Sequence, residues 1–221
     1  MKQEADAVRM RKKPNLIPRM ERCAELLVTD PAELRGKWLE SFPGMKKLRL
    51  ELGCGKGKFT VGTAQEEPDV LIAAVEKVAD AMIIAMERTK QQGLQNVRFI
   101  RGDVKNLTEY FGEGEADRIY LNFSDPWPSR RHEDRRLTAP GFLEIYKKVL
   151  APGGEIHFKT DNTGLFDFSL KSFERNGFSL REVTRDLHGD GPKGIMTDYE
   201  EKFYAQGLKI NRCVAVKEED R

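Results

Sequence analysis

The chain has 221 residues, 39% of them hydrophobic and 33% charged, which is typical of a globular protein with one substantial domain and a short appendage. No apolar run approaches the roughly 20 residues that span a bilayer. The N-terminal stretch "MKQEADAVRMRKKP" also lacks the apolar core of a signal peptide, so we expect a cytoplasmic protein without a membrane segment.

The net charge of +2 is unevenly distributed along the chain. Residues 1–22 contain seven Lys or Arg against three acids, which predicts a basic N-terminal arm and helix over residues 1–40 and a main domain over residues 41–221. The three cysteines have no paired spacing that would indicate zinc, a redox motif or disulfides, so we expect reduced, buried thiols and no metal site: Cys23, Cys54 and Cys213.

From residue 47 onward, short apolar runs alternate with helical patterns. The predicted strands are 47–53, 69–77, 96–103, 116–125 and 154–161. The predicted helices are 58–66, the segment after the second strand to about residue 92, and 140–150. Strands that alternate with helices indicate an α/β fold with a mostly parallel sheet, in which ligands bind at the carboxyl ends of the strands.

The first predicted strand leads into the glycine-rich sequence "ELGCGKGKF". Gly53, Gly55 and Gly57 would let the backbone turn sharply and approach a ligand at the start of a helix. The spacing is GxGxG and not the GxGxxG of dinucleotide-binding proteins, and a purely structural turn is the alternative interpretation.

Four acids lie at or next to the ends of successive predicted strands: Glu51, Glu76, Asp103 and Asp125. Carboxylates gathered at one edge of a sheet repel one another unless a ligand with hydroxyls, amines or positive charge binds between them. S-adenosylmethionine is such a ligand. Glu76 suits its ribose hydroxyls, Asp103 its adenine amine, and Glu51 and Asp125 its cationic methionine end.

Several motifs resemble those of one family, the bacterial tRNA (guanine-N7)-methyltransferases. They are "RMRKKP", "ELGCGKGKF", the acid of "AAVEK", "YLNFSDPWPSRRHEDRRL", "GGEIHFKTDN" and "IMTDYEEKF". The resemblance covers nearly the whole chain, and the long central motif is its most specific part. The family usually has Lys or Arg directly after "DPWP", where this chain has Ser129.

The resemblance implies a Rossmann-like class I methyltransferase fold, with a seven-stranded sheet whose last strand, here 209–217, is antiparallel. It implies transfer of a methyl group from S-adenosylmethionine to N7 of guanine 46 in the tRNA variable loop. The implied cofactor contacts are Glu51, Gly53, Gly55, Glu76, Asp103 and Asp125, with Asp125 also catalytic by position and charge. The implied substrate contacts are Asp161, Thr197, Tyr199 and Glu200.

The basic run that follows Asp125 is the predicted RNA-facing loop: Arg130, Arg131, His132, Arg135 and Arg136. A solvated loop is the alternative for these arginines. His132 has no metal-ligand spacing, so an RNA or structural contact is expected for it. For Trp127 we expect core packing, with contact to a base as the alternative.

Two other classes of protein compete with an RNA methyltransferase. A nicotinamide oxidoreductase accounts for the first acid but not for GxGxG or the arginines. A noncatalytic RNA-binding module accounts for the arginines but not for the acids. The glycine-rich sequence "HGDGPKG" (188–194) is either a lid or a flexible connection, and the protein is expected to be a monomer or a homodimer.

Overall fold

The computed structural model describes residues 15–218. A seven-stranded sheet forms its centre, with the strands β1 Lys47–Leu52, β2 Val70–Glu76, β3 Val97–Arg101, β4 Ala116–Asn122, β5 Leu150–Thr160, β6 Phe178–Thr184 and β7 Asn211–Lys217. The strand order is β3-β2-β1-β4-β5-β7-β6, and β7 is antiparallel to both of its neighbours. The order reverses between β1 and β4, so ligands are expected at the carboxyl ends of these two strands.

Helices cover both faces of the sheet. They are α1 Leu16–Glu21, α2 Trp38–Ser41, α3 Lys58–Glu66, α4 Ala79–Gln91, α5 Leu107–Tyr110, α6 Pro140–Val149, α7 Thr163–Arg175 and α8 Asp198–Ala205. Short 3-10 turns complete the framework, one of them at Arg130–Arg135. Among the described residues, no helix is long and apolar enough to cross a membrane.

Side chains along β1 alternate between the two faces of the sheet, and the two faces pack against different helices. Leu48, Leu50 and Leu52 are buried in the larger core, against α5, α6 and α7. Arg49 and Glu51 point to the α3 face and are also buried. A buried charge is tolerated only with partners, and here the Arg49 guanidinium bonds the Glu67 carboxylate and the Tyr120 hydroxyl.

The segment that precedes β1 wraps around the β3 edge of the sheet. Leu26 belongs to the smaller core with α4, the Val28 amide donates to the Phe99 carbonyl at 2.9 Å, and Trp38 is fully buried in the larger core. This wrapping covers backbone groups that an edge strand would otherwise expose. The basic residues of the predicted N-terminal arm before residue 15 lie outside the described residues.

The predicted fold class is confirmed, including the antiparallel last strand. The helices predicted at 58–66 and 140–150 are found at Lys58–Glu66 and Pro140–Val149. The fourth strand ends at Asn122, three residues before the predicted end, because Phe123 adopts a left-handed φ of 54°. The sequence predictions did not locate α7, β6 or α8. All three cysteines are free and buried, as expected.

Candidate active site

The carboxyl ends of β1, β2, β3 and β4 open into a cavity of about 680 Å³. Three of the four predicted acids line it: Glu76, Asp103 and Asp125. Asp125 lies three residues beyond the end of β4, on an exposed part of the loop. The neighbouring Ser124 Oγ and Asn122 Nδ2 are buried and have no hydrogen-bond partner of ordinary geometry within the described residues. The cavity therefore offers acceptors together with unsatisfied polar atoms, which suits a polar ligand.

The glycines after β1 have two different roles. Gly53 (φ 82°) and Gly55 (φ 55°) line cavities, and a Cβ built on either one would meet nothing within 4 Å. A Cβ on Gly57 would lie 2.4 Å from the Ala85 Cβ, so this glycine is required for the packing of α3 against α4. Gly53 and Gly55 thus leave the space that a bound ligand needs.

Backbone donors hold Glu76 and Asp103 in place at the cavity wall. The Glu76 carboxylate accepts from the Gly55 amide at 3.0 Å and from the Val78 amide at 2.8 Å. Asp103 accepts from the Lys105 amide at 3.1 Å and pairs with Lys77, and these interactions lower the pKa of Asp103. Each carboxylate oxygen has two lone pairs, so both side chains can still accept hydrogen bonds from a ligand.

Glu51, the fourth predicted acid, lies at a second cavity of about 320 Å³. Its carboxyl is buried and accepts a hydrogen bond from the Thr60 hydroxyl at 2.5 Å. Burial raises the pKa of Glu51 to about 7, although Thr60, the neighbouring Asn122 amide and the Lys159 ammonium all oppose this shift. A cationic ligand group at this cavity would stabilise the ionised form.

The second cavity brings the glycine-rich loop that follows β1 next to α8. Gly55 lines one wall, and Thr197 and Tyr199 line another. The Thr197 hydroxyl accepts from the Glu200 amide at 2.9 Å and begins α8 with a capping box. Tyr199 remains 44% exposed, and its hydroxyl lies near the Asp161 carboxylate, just past the end of β5. Burial, followed by this carboxylate, raises the pKa of Tyr199. Thr197 and Tyr199 therefore line the second cavity, whereas Asp161 lies next to Tyr199 and lines neither cavity. Contact of these three residues with substrate stays a prediction.

Glu200 does not reach either cavity. Its side chain is fully buried, and one oxygen accepts from the Lys159 ammonium at 2.6 Å while the other contacts His188 Nε2 at 2.9 Å. Lys159 also donates to the Ile195 carbonyl at 3.1 Å, and His188 Nδ1 accepts from the Lys193 amide. The predicted contact between Glu200 and substrate is therefore wrong, because both of its oxygens tie β5 to the 188–197 loop.

The arginine-rich turn divides into exposed and buried members. Arg130, Arg131 and Arg135 are exposed on the 3-10 turn that follows Ser129. Arg136 is only 7% exposed: its guanidinium donates to the Pro126 and Trp127 carbonyls and stacks on Phe168 at 4.4 Å. The predicted RNA contact of Arg136 is contradicted, because this side chain holds the loop in shape.

Trp127 is half-buried and lines the first cavity, so the expectation of core packing for it is wrong. The fully buried tryptophan is Trp38. The guanidinium of Arg135 lies 5.0 Å from the Trp127 ring, and the His132 ring meets its edge at 5.9 Å. The loop therefore presents the Trp127 ring and the Arg135 guanidinium to the cavity, and Arg130 and Arg131 to solvent. No group of three or more potential metal ligands occurs within residues 15–218.

Sequence reasoning did not single out Lys159, His188 or Phe123. Lys159 stands in "HFKTD", two residues before Asp161, and a lysine that follows the apolar Phe158 in a central strand indicates a buried partner. His188 opens the glycine-rich "HGDGPKG" sequence. Nothing in their spacing along the chain shows that both would meet Glu200, because the partners come from separate elements.

Comparison with known proteins agrees with the fold. A methyltransferase family model, Methyltransf_4, matches residues 45–213. The 16S rRNA methyltransferase KamB superposes with a TM-score of 0.63 at 12% identity, covering 80% of this chain and 90% of that one. TrmN from Thermus thermophilus has a TM-score of 0.56 at 22% identity, covering 84% of this chain and 48% of that one. The chain is a methyltransferase with a Rossmann-like fold.

Curated relatives define the family more narrowly. The tRNA (guanine-N(7)-)-methyltransferase of Bacillus velezensis is 45% identical over 93% of this chain and 95% of its own length. The enzyme of that name from Bacillus subtilis is 44% identical over 93% of this chain and 97% of its own length. The one from Geobacillus kaustophilus is 43% identical over 95% of this chain and 97% of its own length. The chain belongs to the tRNA (guanine-N7)-methyltransferase family.

Proposed function

We propose that this protein transfers a methyl group from S-adenosylmethionine to N7 of guanine 46 in the tRNA variable loop. The observation that carries the proposal is the meeting of the two cavities at the ends of β1 and β4. Gly53, Asn122 and Phe123 line both cavities. A group can pass directly from a ligand in one cavity to a ligand in the other only at such a junction.

The residues of the first cavity fit S-adenosylmethionine, which supplies an electrophilic methyl group on a sulfonium. Glu76 accepts from the ribose hydroxyls and Asp103 accepts from the adenine amine. Gly53 and Gly55 leave room for the backbone to approach the amino-acid end, consistent with the open space beside both glycines. Glu51 places a carboxyl at the second cavity, next to the junction residue Asn122, where positive charge on the ligand is stabilised.

Guanine N7 carries a lone pair and no proton, so its methylation needs no general base. The protein's task is to hold N7 in line with the methyl group, an orientation effect worth about 7 to 11 kcal/mol. Asp125 contributes its charge and position at the first cavity. Asp161, beside the Tyr199 hydroxyl, is the proposed acceptor for the N1–H and N2–H₂ donors of the guanine. A carboxylate on that edge leaves N7, on the other side of the purine, free to react.

Arg130, Arg131 and Arg135 bind tRNA phosphates in this proposal, and His132 is placed at the same surface. All three arginines are exposed on the turn that follows the first cavity. Because Arg135 contacts the Trp127 ring that lines this cavity, the turn lies close to the proposed reaction centre.

The direct test is incubation of the protein with bulk tRNA and methyl-labelled S-adenosylmethionine, followed by nucleoside analysis. We expect label in 7-methylguanosine, and a transcript with adenosine at position 46 should remain unlabelled. Label in another nucleoside, or equal labelling of the altered transcript, would contradict the proposed substrate. Calorimetry with NAD beside S-adenosylmethionine tests the oxidoreductase alternative, which requires NAD to bind and S-adenosylmethionine not to bind.

A further inference from the structure

The junction of the two cavities contains one flat apolar surface. Of the three residues that line both cavities, Gly53 has no side chain, Asn122 contributes an amide, and Phe123 contributes an aromatic ring. A planar base that reacts at this junction needs a surface to stack on, because stacking fixes the plane of the base. Phe123 is placed to provide it.

The position of Phe123 is set by its backbone. Its amide donates to the Lys159 carbonyl at 2.9 Å, and its φ of 54° lies in the left-handed region, which a bulky residue rarely adopts. This conformation costs free energy, and such strain persists only where the surroundings enforce it. Here the hydrogen bond to β5 enforces it and turns the ring toward both cavities.

A second ring completes a wall beside Phe123. The Tyr199 ring lies 5.2 Å from the Phe123 ring at an interplanar angle of 53°, and it stacks on Phe203 at 4.3 Å and 28°. Phe203 therefore packs against Tyr199, while the Tyr199 hydroxyl lies near the Asp161 carboxylate. The two tilted rings form a V-shaped wall with a carboxylate at its edge.

We propose that Phe123 and Tyr199 form a stacking wall for the target base, with the face of the guanine on Phe123 and its donor edge toward Asp161. This inference rests on the proposed function and adds the surface that fixes the plane of the base. Lysines at the same cavity favour a nucleotide over an apolar protein side chain, because they can meet its phosphates: Lys56, Lys58 and Lys202.

The test compares Phe123→Leu with Phe123→Tyr. Leucine keeps an apolar side chain with the same backbone constraint but removes the ring, so kcat/KM for tRNA should fall about 10- to 100-fold, the usual worth of one stacked base. Phe123→Tyr should retain most activity. The matched control is Tyr204→Leu, since Tyr204 is a partly exposed ring on α8 that contacts His188 and does not line either cavity. Cofactor affinity, measured by calorimetry, should be unchanged in Tyr204→Leu and should change much less than kcat/KM in the Phe123 variants.

Binding to an altered tRNA separates stacking from a general structural effect. With S-adenosylhomocysteine present, Phe123→Leu should weaken binding of unmodified tRNA but not of tRNA that is abasic at the target guanosine. Equal weakening for both tRNAs, or kcat/KM equal to the unmutated protein, would overturn the stacking wall. If the unmutated protein forms no 7-methylguanosine, the proposed function itself fails. If it does and Phe123→Leu is unaffected, only this inference fails.

Discussion

Carboxylates on the two sides of the candidate active site are held in opposite ways. On the side proposed to bind the cofactor, backbone amides and Lys77 contact Glu76 and Asp103, and both carboxylates still line the cavity. On the α8 side, Glu200 is enclosed between Lys159 and His188 and contacts neither cavity. Glu76 and Asp103 keep free acceptor sites for a ligand, whereas both oxygens of Glu200 are used to join parts of the chain. In our proposal, the same residue type therefore binds ligand on one side and positions the wall on the other.

The largest expected effect comes from breaking the buried pair on the α8 side. Lys159→Met leaves Glu200 buried without its ammonium partner and should lower the free energy of unfolding by about 3 to 5 kcal/mol. The double variant Lys159→Met/Glu200→Gln should recover part of this loss, because the buried charge is then gone. Urea unfolding measures both variants.

The exposed pair of Lys46 and Asp69 provides the control for this prediction. Lys46→Met should change stability little, because water screens exposed ion pairs. If Lys159→Met is no more destabilising than Lys46→Met, the lysine does not hold the loop, and Glu200 must be free for another role.

Glu51 lies between the two sides and should make stability depend on pH. Its pKa is raised to about 7 from an ordinary 4.5, so the folded state binds a proton more tightly than the unfolded chain does. Relative to Glu51→Gln, stability should therefore fall by up to about 3 kcal/mol as the pH rises from about 5 to about 8.

His157 acts in the opposite direction and must be separated from Glu51. Burial lowers the pKa of His157 to about 4, so its contribution to stability grows as the pH rises from about 4 toward 6.5. The His157 contribution is the same in the unmutated protein and in Glu51→Gln. The difference between their free energies of unfolding at each pH therefore reports the Glu51 carboxyl alone. A difference that stays constant with pH would show that Glu51 is ionised in the fold throughout this range.

On the cofactor side, Glu76→Ala should weaken binding of S-adenosylmethionine about 10- to 100-fold, because hydrogen bonds to a carboxylate acceptor are lost. Glu76→Gln should lose less, since one oxygen remains to accept. Glu109→Ala, at an exposed site on α5, is the matched control for removal of an acid. Calorimetry without tRNA measures all three, and equal affinities would remove Glu76 from the cofactor site.

The two sides also differ in how far the sequence predicts them. The position of Glu76 follows from local pattern, since an acid at the end of an apolar strand in a parallel sheet must lie at its ligand-binding edge. Glu200 belongs to a capping box that is visible in the sequence as "TDYE". Its burial depends on Lys159 and His188, which lie 41 and 12 residues away along the chain. Pairing over such distances is set by the assembled sheet and not by local pattern.

The same contrast recurs within the arginine run, where the smallest effect is expected. Arg135 and Arg136 are neighbours in sequence, yet Arg135 is exposed and Arg136 is enclosed by backbone carbonyls and Phe168. Each lost phosphate contact should make the slope of log K for tRNA binding against log salt concentration shallower by roughly 0.7 to 0.9. Arg131→Gln and Arg135→Gln should therefore each flatten the slope, and Arg131→Gln should leave cofactor affinity unchanged because Arg131 does not line the first cavity. Arg136→Gln should lower thermal stability and leave the slope as it is.

A slope that flattens for Arg136→Gln alone would mean that the buried arginine swings out to meet RNA. Slopes unchanged in the other two variants would assign Arg131 and Arg135 to a solvated loop.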